Sequence, residues 1–170
     1  MSSPLPQRAG VVNFVSARLI AYWTFTLVIA GENLGGAIWA ALRIDYSRAI
    51  LSHLGYPLYV FDILGPGELL IAVALLLPGF PTARQWAYAG ATAKYAAALV
   101  SWLSVGELHS QAGWAVLCLV LGLASWALRP RADAAPRIGE IRASRWLVTL
   151  ALVVVLAIVT LLTLPAPPQF

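Results

Sequence analysis

Five apolar runs, each close to the length of a membrane-spanning helix, fix what this chain can become. They are Leu19–Ala41, Leu58–Leu77, Trp86–Val105, Gln111–Leu128 and Trp146–Leu164. A helix of about 20 mostly apolar residues crosses the hydrocarbon core of a bilayer. The 170 residues are 61% hydrophobic and 11% charged, whereas about a quarter of a soluble domain is charged. A chain this short has too much surface to hide such a composition in a soluble core. An all-α integral membrane protein is the expected class.

The connections set the expected topology. Pro78–Pro81 joins the second and third spans, and Gly106–Ser110 joins the third and fourth. Short connections make antiparallel neighbours, so residues 1–128 read as an antiparallel four-helix bundle. Arg129–Arg145 reads as a basic linker, and residues 146–170 carry a fifth transmembrane helix. That helix is aliphatic throughout and is expected to face lipid. The third span, with its many Ala residues, Gly90 and Ser101, is expected to be the buried centre, because small residues let helices approach closely. The first residues lack the pattern of a cleaved signal.

The arginines orient the chain. With the N-terminus inside, Arg8, Arg18, Arg84, Arg129, Arg131, Arg137, Arg142 and Arg145 lie on the inner side, and only Arg43 and Arg48 on the outer side. This is a positive-inside bias. It orients the chain with a cytoplasmic N-terminus and an external C-terminus, and the expected location is the inner (plasma) membrane, as a multi-pass protein. The basic balance then reflects topology and anionic headgroups rather than nucleic acid. Trp23, Trp86, Trp126 and Trp146 fall near the inner interface and Trp39, Trp102 and Trp114 near the outer one, as an aromatic belt would.

Three charges remain at mid-span: Glu32, Glu68 and Lys94. Each costs about 2.5–3.5 kcal/mol or more if it faces lipid, so each is expected to face inward and find a partner. Glu68 and Lys94 are both 13 residues from Pro81, at the hairpin between their helices, so an antiparallel pair puts them level. Glu32 lies about 14 Å from the outer end of the first span at 1.5 Å per residue, in the same layer. The stretch Gly65-Pro66-Gly67-Glu68 is expected to kink its helix and free the Asp62 carbonyl, opening a small polar niche toward the first and third spans. Two carboxylates share one cation there. One carboxyl is expected to hold a proton, since removal from water and a like charge both favour the neutral acid. Such an acid beside Lys94 is a candidate proton donor. A purely structural ion pair is the competing reading.

Glu32, Glu68 and Lys94 are thus the candidate catalytic residues. Asn33 and Tyr95 follow two of them directly. Sequence neighbours on a helix do not share a face, so these two are expected behind the layer rather than in it. Tyr88, Ser101 and Trp102 are further candidate wall residues for a substrate. His53 and His109, near Asp45 and Glu107, fall in outer loops. A solvated loop is expected there rather than a metal site. Cys118 is the only cysteine, so there is no disulfide framework or thiol pair, and it reads as a packing residue. No cofactor is evident from the residues.

The stretches His53–Leu70 (HLGYPLYVFDILGPGELL) and Leu75–Gly90 (LLLPGFPTARQWAYAG) resemble the DoxX-like family of small four-helix membrane proteins. Ser104–Glu107 (SVGE) and the first span from Tyr22-Trp23 to Gly36 extend the resemblance to about 90 residues. The family usually has Lys where this chain has Glu68, and an acidic or polar residue where it has Lys94. Glu68 and Lys94 therefore look like a charge swap of one buried pair. It also tends to Lys-Glu-Trp where this chain has Arg84-Gln85-Trp86, and to Ser-His where it has Ser101-Trp102. Some relatives are membrane components of quinone-linked thiol or sulfur oxidation, or of oxidative-stress complexes.

Three readings of function stay open. In the first, implied by the resemblance, the bundle is a redox-associated subunit that binds a quinone or other apolar small molecule near Glu32, Glu68 and Lys94, and a soluble oxidoreductase partner supplies the redox centre. In the second, it is a cofactor-independent acid–base enzyme, an isomerase or cyclase of an apolar, isoprenoid-like substrate. In the third, it is a non-enzymatic membrane scaffold. Each is compatible with a homo-oligomer.

Overall fold

The computed structural model describes residues 7–107, 110–130, 143–163 and Pro165. Among them are six helices and no strand: α1 (Gln7–Leu42), α2 (Asp45–His53), α3 (Val60–Leu76), α4 (Pro81–Ser104), α5 (Ser110–Leu128) and α6 (Ala143–Leu162). Five match the apolar runs. The sixth, α2, falls in the connection after the first run and was not expected. Two segments are long and apolar enough to cross a membrane on their own: Ser16–Leu42 and Gln111–Leu128. α3 has only 17 residues, and α4 is rich in Ala and polar side chains.

The breaks between helices follow from local chemistry. α1 ends on Arg43, which takes a left-handed φ of 48°. Ile44 N–H bonds to the Trp39 carbonyl and Arg43 N–H to the Ala40 carbonyl. This is the Schellman arrangement, which satisfies the last carbonyls of a helix. The motif recurs at both family-like signatures. In Leu54-Gly55-Tyr56 it closes α2, with Gly55 at φ 75°, and in Val105-Gly106-Glu107 it closes α4, with Gly106 at φ 78°. Glycine adopts this conformation without the Cβ clash that penalises other residues. α3 stops at Leu77, which is extended before Pro78, and α4 starts on Pro81.

Side-chain contacts fix the helix directions. Tyr22–Arg84, Thr26–Tyr88, Glu32–Lys94 and Asn33–Tyr95 are all hydrogen-bonded pairs separated by 62 residues. A constant offset means that α1 and α4 run parallel and in phase. α3 runs antiparallel to both: Gly65 packs on Ala40 and Glu68 on Gly36, while Glu68 pairs with Lys94. α5 is antiparallel to α1, with Ser125 on Thr26 and the Leu128 carbonyl on Arg18. The principal contacts follow the cycle α1–α3–α4–α5–α1, and α6 packs on α1.

The centre of this arrangement is α1, not α4. α1 touches α3, α5 and α6, and buries Tyr22, Thr26, Ile29, Ala30, Asn33 and Leu34. On α4, Ala89, Ala93 and Ala97 are exposed. Nor is α6 a bare lipid-facing addition. Ideal Cβ atoms on Gly31 and Gly35 of α1 would lie 3.2 Å from Leu156 Cδ2 and 3.5 Å from Thr160 Oγ1. Small residues four apart give α6 a close seat. Its other face, including Leu147, Val155 and Leu162, is exposed. The main core joins Ile29, Leu75, Tyr88, Tyr95 and Cys118, and Cys118 fills the packing role expected of it.

α3 passes unbroken from Val60 to Leu76 with Pro66 on its exposed side. The glycine before Pro66 admits α1: an ideal Cβ on Gly65 would stand 3.1 Å from the Ala40 methyl. Trp23, Trp86, Trp114 and Trp126 are exposed, as a belt requires, but Trp102 is 95% buried and does not belong to it. The Trp146 side chain, His109, and the linker charges Arg131, Arg137 and Arg142 lie outside the described residues.

Candidate functional site

Glu32 from α1, Glu68 from α3 and Lys94 from α4 meet in one layer. Lys94 Nζ donates to Glu32 Oε2 at 2.9 Å and to Glu68 Oε1 at 3.0 Å. The level reckoned from the hairpin therefore holds. The Glu68 carboxylate lies against Gly36 of α1, where no side chain stands in its way. Lys94 Nζ is also 4.5 Å from the Tyr95 ring centroid, within range of a cation–π contact.

Tyr95 and Asn33 are closer to the charges than expected. Tyr95 Oη donates to Glu32 Oε2, and Asn33 Nδ2 donates to Tyr95 Oη at 2.8 Å. Neighbours on a helix point about 100° apart, yet side chains as long as Lys and Tyr reach one carboxylate from both sides. Spacing on a helix surface misses this, because Glu32 and Lys94 meet across the ring rather than along one helix. Asn33 Nδ2 also donates to the Ile29 carbonyl at 2.8 Å. That carbonyl can only accept, so the amide orientation is fixed and the Tyr95 proton is directed to Glu32. Asn33 donates to Tyr95 and Tyr95 to Glu32, while Lys94 donates to both Glu32 and Glu68. Asn33 Oδ1 is buried without a partner among the described residues.

The layer is enclosed but not sealed. The side chains of Lys94, Glu32 and Glu68 keep 15%, 23% and 13% of their surface accessible. The described parts of α5 and α6 bring no charge to it: Ser110–Leu128 has none, and neither has Leu147–Leu162. With all three groups ionised, the layer carries a net charge of minus one.

The remaining candidates lie elsewhere. Tyr88 belongs to a second polar tier with Thr26 and Ser125, whose hydroxyls lie 2.7–3.2 Å apart. It is six residues, about 9 Å of helix rise, from Lys94. Tyr22 adds its backbone carbonyl to this tier, and its hydroxyl accepts from Arg84. Ser101 and Trp102 lie at the α2 end. Ser101 bonds to Tyr56 at 2.8 Å, and Trp102 packs against His53 with ring centroids 5.8 Å apart. None of these three residues walls the charge layer.

His53 is the last residue of α2 rather than part of a loop, and its Nε2 lies 3.0 Å from Glu107 Oε1. Among the described residues, no group of three or more His, Cys, Asp or Glu side chains is placed to hold a metal ion. Asp45 is engaged with Arg48 at 3.7 Å, on the exposed side of α2.

No curated protein and no solved structure matches the chain. A family model described as the DoxX-like family matches residues 24–127. The match takes in the charge layer, the Gly65-Pro66-Gly67 stretch of α3 and both glycine caps, and leaves α6 outside. The family match, together with the exposed aliphatic faces and two span-length apolar helices, marks this as a membrane protein. With well over half of its length inside the match, the chain belongs to the DoxX-like family.

Proposed function

We propose that this protein is a redox-associated membrane subunit that binds a quinone, or another apolar molecule carrying a carbonyl, at the Glu32–Glu68–Lys94 layer. The supporting observation is the donor set. Lys94 and Tyr95 both offer protons toward Glu32, beside a second carboxylate and inside an apolar bundle. Reduction of a quinone to a quinol consumes two electrons and two protons. Lys94 and Tyr95 hydrogen-bond one carbonyl oxygen and a protonated carboxyl of the layer passes one proton to it, while the second oxygen takes its proton from water, which also reprotonates the carboxyl. The electrons come from a soluble oxidoreductase partner, because a chain whose only cysteine is Cys118 has no thiol pair to cycle.

The architecture that goes with this reading is a four-helix membrane bundle over residues 1–128, a basic linker over 129–145 and a fifth spanning helix. It sits in the plasma membrane with the N-terminus in the cytoplasm. The direct Tyr95–Glu32 hydrogen bond also favours a second reading, a cofactor-independent isomerase or cyclase in which the same residues transfer a proton to an isoprenoid-like substrate.

The test is titration of a decyl-substituted benzoquinone into the purified protein in lipid nanodiscs, read by quenching of its seven tryptophans. Saturable quenching that weakens about tenfold or more in Lys94→Met, equivalent to losing one strong polar contact, is the expected result. Unsaturable quenching, equal in wild type and Lys94→Met, would mean partition into lipid alone and would remove the quinone reading.

A further inference from the structure

We propose that Arg84, with Arg18 and Arg129 at the same end of the bundle, binds the phosphate of an anionic phospholipid in the leaflet that meets the α3–α4 turn. The site is separate from the charge layer and stands whether or not a quinone binds there.

The distribution of ion pairs carries the argument. Among the described residues, the acids are Glu32 and Glu68 in the layer and Asp45, Asp62 and Glu107 toward α2. Arg43 and Arg48, at the α2 end, stand 2.9 Å from Asp62 and 3.7 Å from Asp45. Arg18, Arg84 and Arg129, at the opposite end, have no carboxylate partner among the described residues. They donate to neutral acceptors instead. Arg18 bonds to the Leu128 and Arg129 carbonyls, and Arg129 to the Trp126 carbonyl. Arg84 bonds to the Leu77 carbonyl at 2.9 Å and to the Tyr22 hydroxyl at 3.2 Å. The chain positions these three cations and does not neutralise them.

Arg84 is the focus of the site. It is half-buried, whereas Arg18 is exposed. A guanidinium has five N–H donors. Arg84 uses two of them on Leu77 and Tyr22, and its Nε is buried with no acceptor among the described residues. It also stands in the first turn of α4, which has no side-chain cap. An uncapped helix start favours an anion. Arg18 lies one turn of α1, about 6 Å, before Tyr22, and so adds a second cation to this end. The planar fork of arginine suits phosphate oxygens, which it can bond in parallel.

The surroundings favour a lipid over a soluble anion. Trp23, Trp86 and Trp126 are exposed around this end, and such tryptophans sit at headgroup level. The Arg84 guanidinium carbon lies 6.0 Å from the Trp23 ring centroid, and that of Arg129 lies 4.3 Å from the Trp126 ring centroid. Leu19 and Ile20 are exposed on the same stretch of α1 and give acyl chains an apolar surface. Three cations without an acid select a lipid of net negative charge. A choline group would meet like charge.

Native mass spectrometry of the full-length protein in detergent tests the site, with phosphatidylglycerol and phosphatidylcholine as competing ligands. Wild type should hold phosphatidylglycerol about fivefold or more tightly, the factor that one interfacial arginine supplies. Arg84→Gln should remove most of this preference, while Arg48→Gln at the other end should keep it. Arg18→Gln/Arg129→Gln leaves the Leu77 and Tyr22 contacts of Arg84 intact, and should also lower the preference, which covers the case in which Arg84→Gln does not fold. Equal retention of the two lipids by wild type would overturn the proposal, as would a preference unchanged in both the Arg84 and the Arg18/Arg129 variants. Displacement of the lipid by millimolar inorganic phosphate would overturn its assignment to lipid and make this a site for soluble anions.

Discussion

The glycine at position 36 should be as important to the charge layer as the charges themselves. A methyl group added there would stand 2.7 Å from Cδ and 2.8 Å from Oε1 of Glu68. Carbon and oxygen atoms rest at about 3.5–4.0 Å, so the carboxylate must withdraw by about 1 Å. The carboxylate is the far end of a flexible side chain, and the withdrawal itself is cheap. The loss falls on its partner. The Lys94–Glu68 contact, now 3.0 Å, opens to about 4 Å and ceases to be a hydrogen bond. At an effective dielectric constant of about 20, that lengthening alone removes about 1.4 kcal/mol of attraction. A charge-assisted hydrogen bond is worth about 1.5–3 kcal/mol, which includes most of the Coulomb part, so Gly36→Ala should cost about 1.5–3 kcal/mol.

The assay is a double-mutant cycle on unfolding in detergent micelles. In a Glu68→Ala background the added methyl meets no carboxylate, and Gly36→Ala should cost less than about 0.5 kcal/mol. The coupling between the two positions should then be about 1–2.5 kcal/mol. Equal losses in both backgrounds would show that the methyl disturbs helix packing rather than the carboxylate, and the close fit of Glu68 on Gly36 would lose its meaning.

Other perturbations probe the same layer. Lys94→Met leaves two carboxylates with no cation and should cost about 3–5 kcal/mol, whereas Glu68→Gln keeps the Lys94–Glu32 pair and should cost less than about 1.5 kcal/mol, both read from unfolding midpoints. Glu68→Lys and Lys94→Glu should each lower the folded yield in membranes, and the double swap should recover it; no recovery would mean that Glu32 reads the polarity of the pair. Tyr95→Phe removes the second donor to Glu32 and the acceptor of Asn33, and should cost about 1.5–3 kcal/mol in the same unfolding assay. Gly106→Ala forces a Cβ into left-handed backbone at the end of α4 and should cost about 1–2 kcal/mol while leaving benzoquinone affinity unchanged.

What the sequence made legible is what obeys one-dimensional rules. The apolar runs located five helices, and counting from Pro81 put Glu68 level with Lys94. The missed features depend on three dimensions. α2 is a nine-residue helix of low hydrophobicity, and a search for membrane spans passes over it. The uniform composition of α6 points to lipid, and its outer face is exposed; the seat under its other face is on α1, in Gly31 and Gly35. The alanines of α4 permit close packing and point to it as the centre. Permission is not use, and several of those alanines face outward. Residue type alone groups Tyr88, Ser101 and Trp102 with the layer, although helix rise separates them from it by about 9–12 Å.

The placement of Tyr95 shows where the helical-wheel argument stops. It is sound for residues that must touch along one helix. Glu32 and Lys94 instead meet from parallel helices held at a fixed offset, and an offset acts on every pair at once. The register that brings Glu32 to Lys94 also brings Asn33 to Tyr95, Thr26 to Tyr88 and Tyr22 to Arg84. In an apolar bundle a polar side chain without its partner is costly. Each tier therefore penalises the same slips as the others. The offset of 62 is thus a property of all the side-chain tiers that α1 and α4 build across the bundle, and the charge layer shares its geometry with tiers of different chemistry.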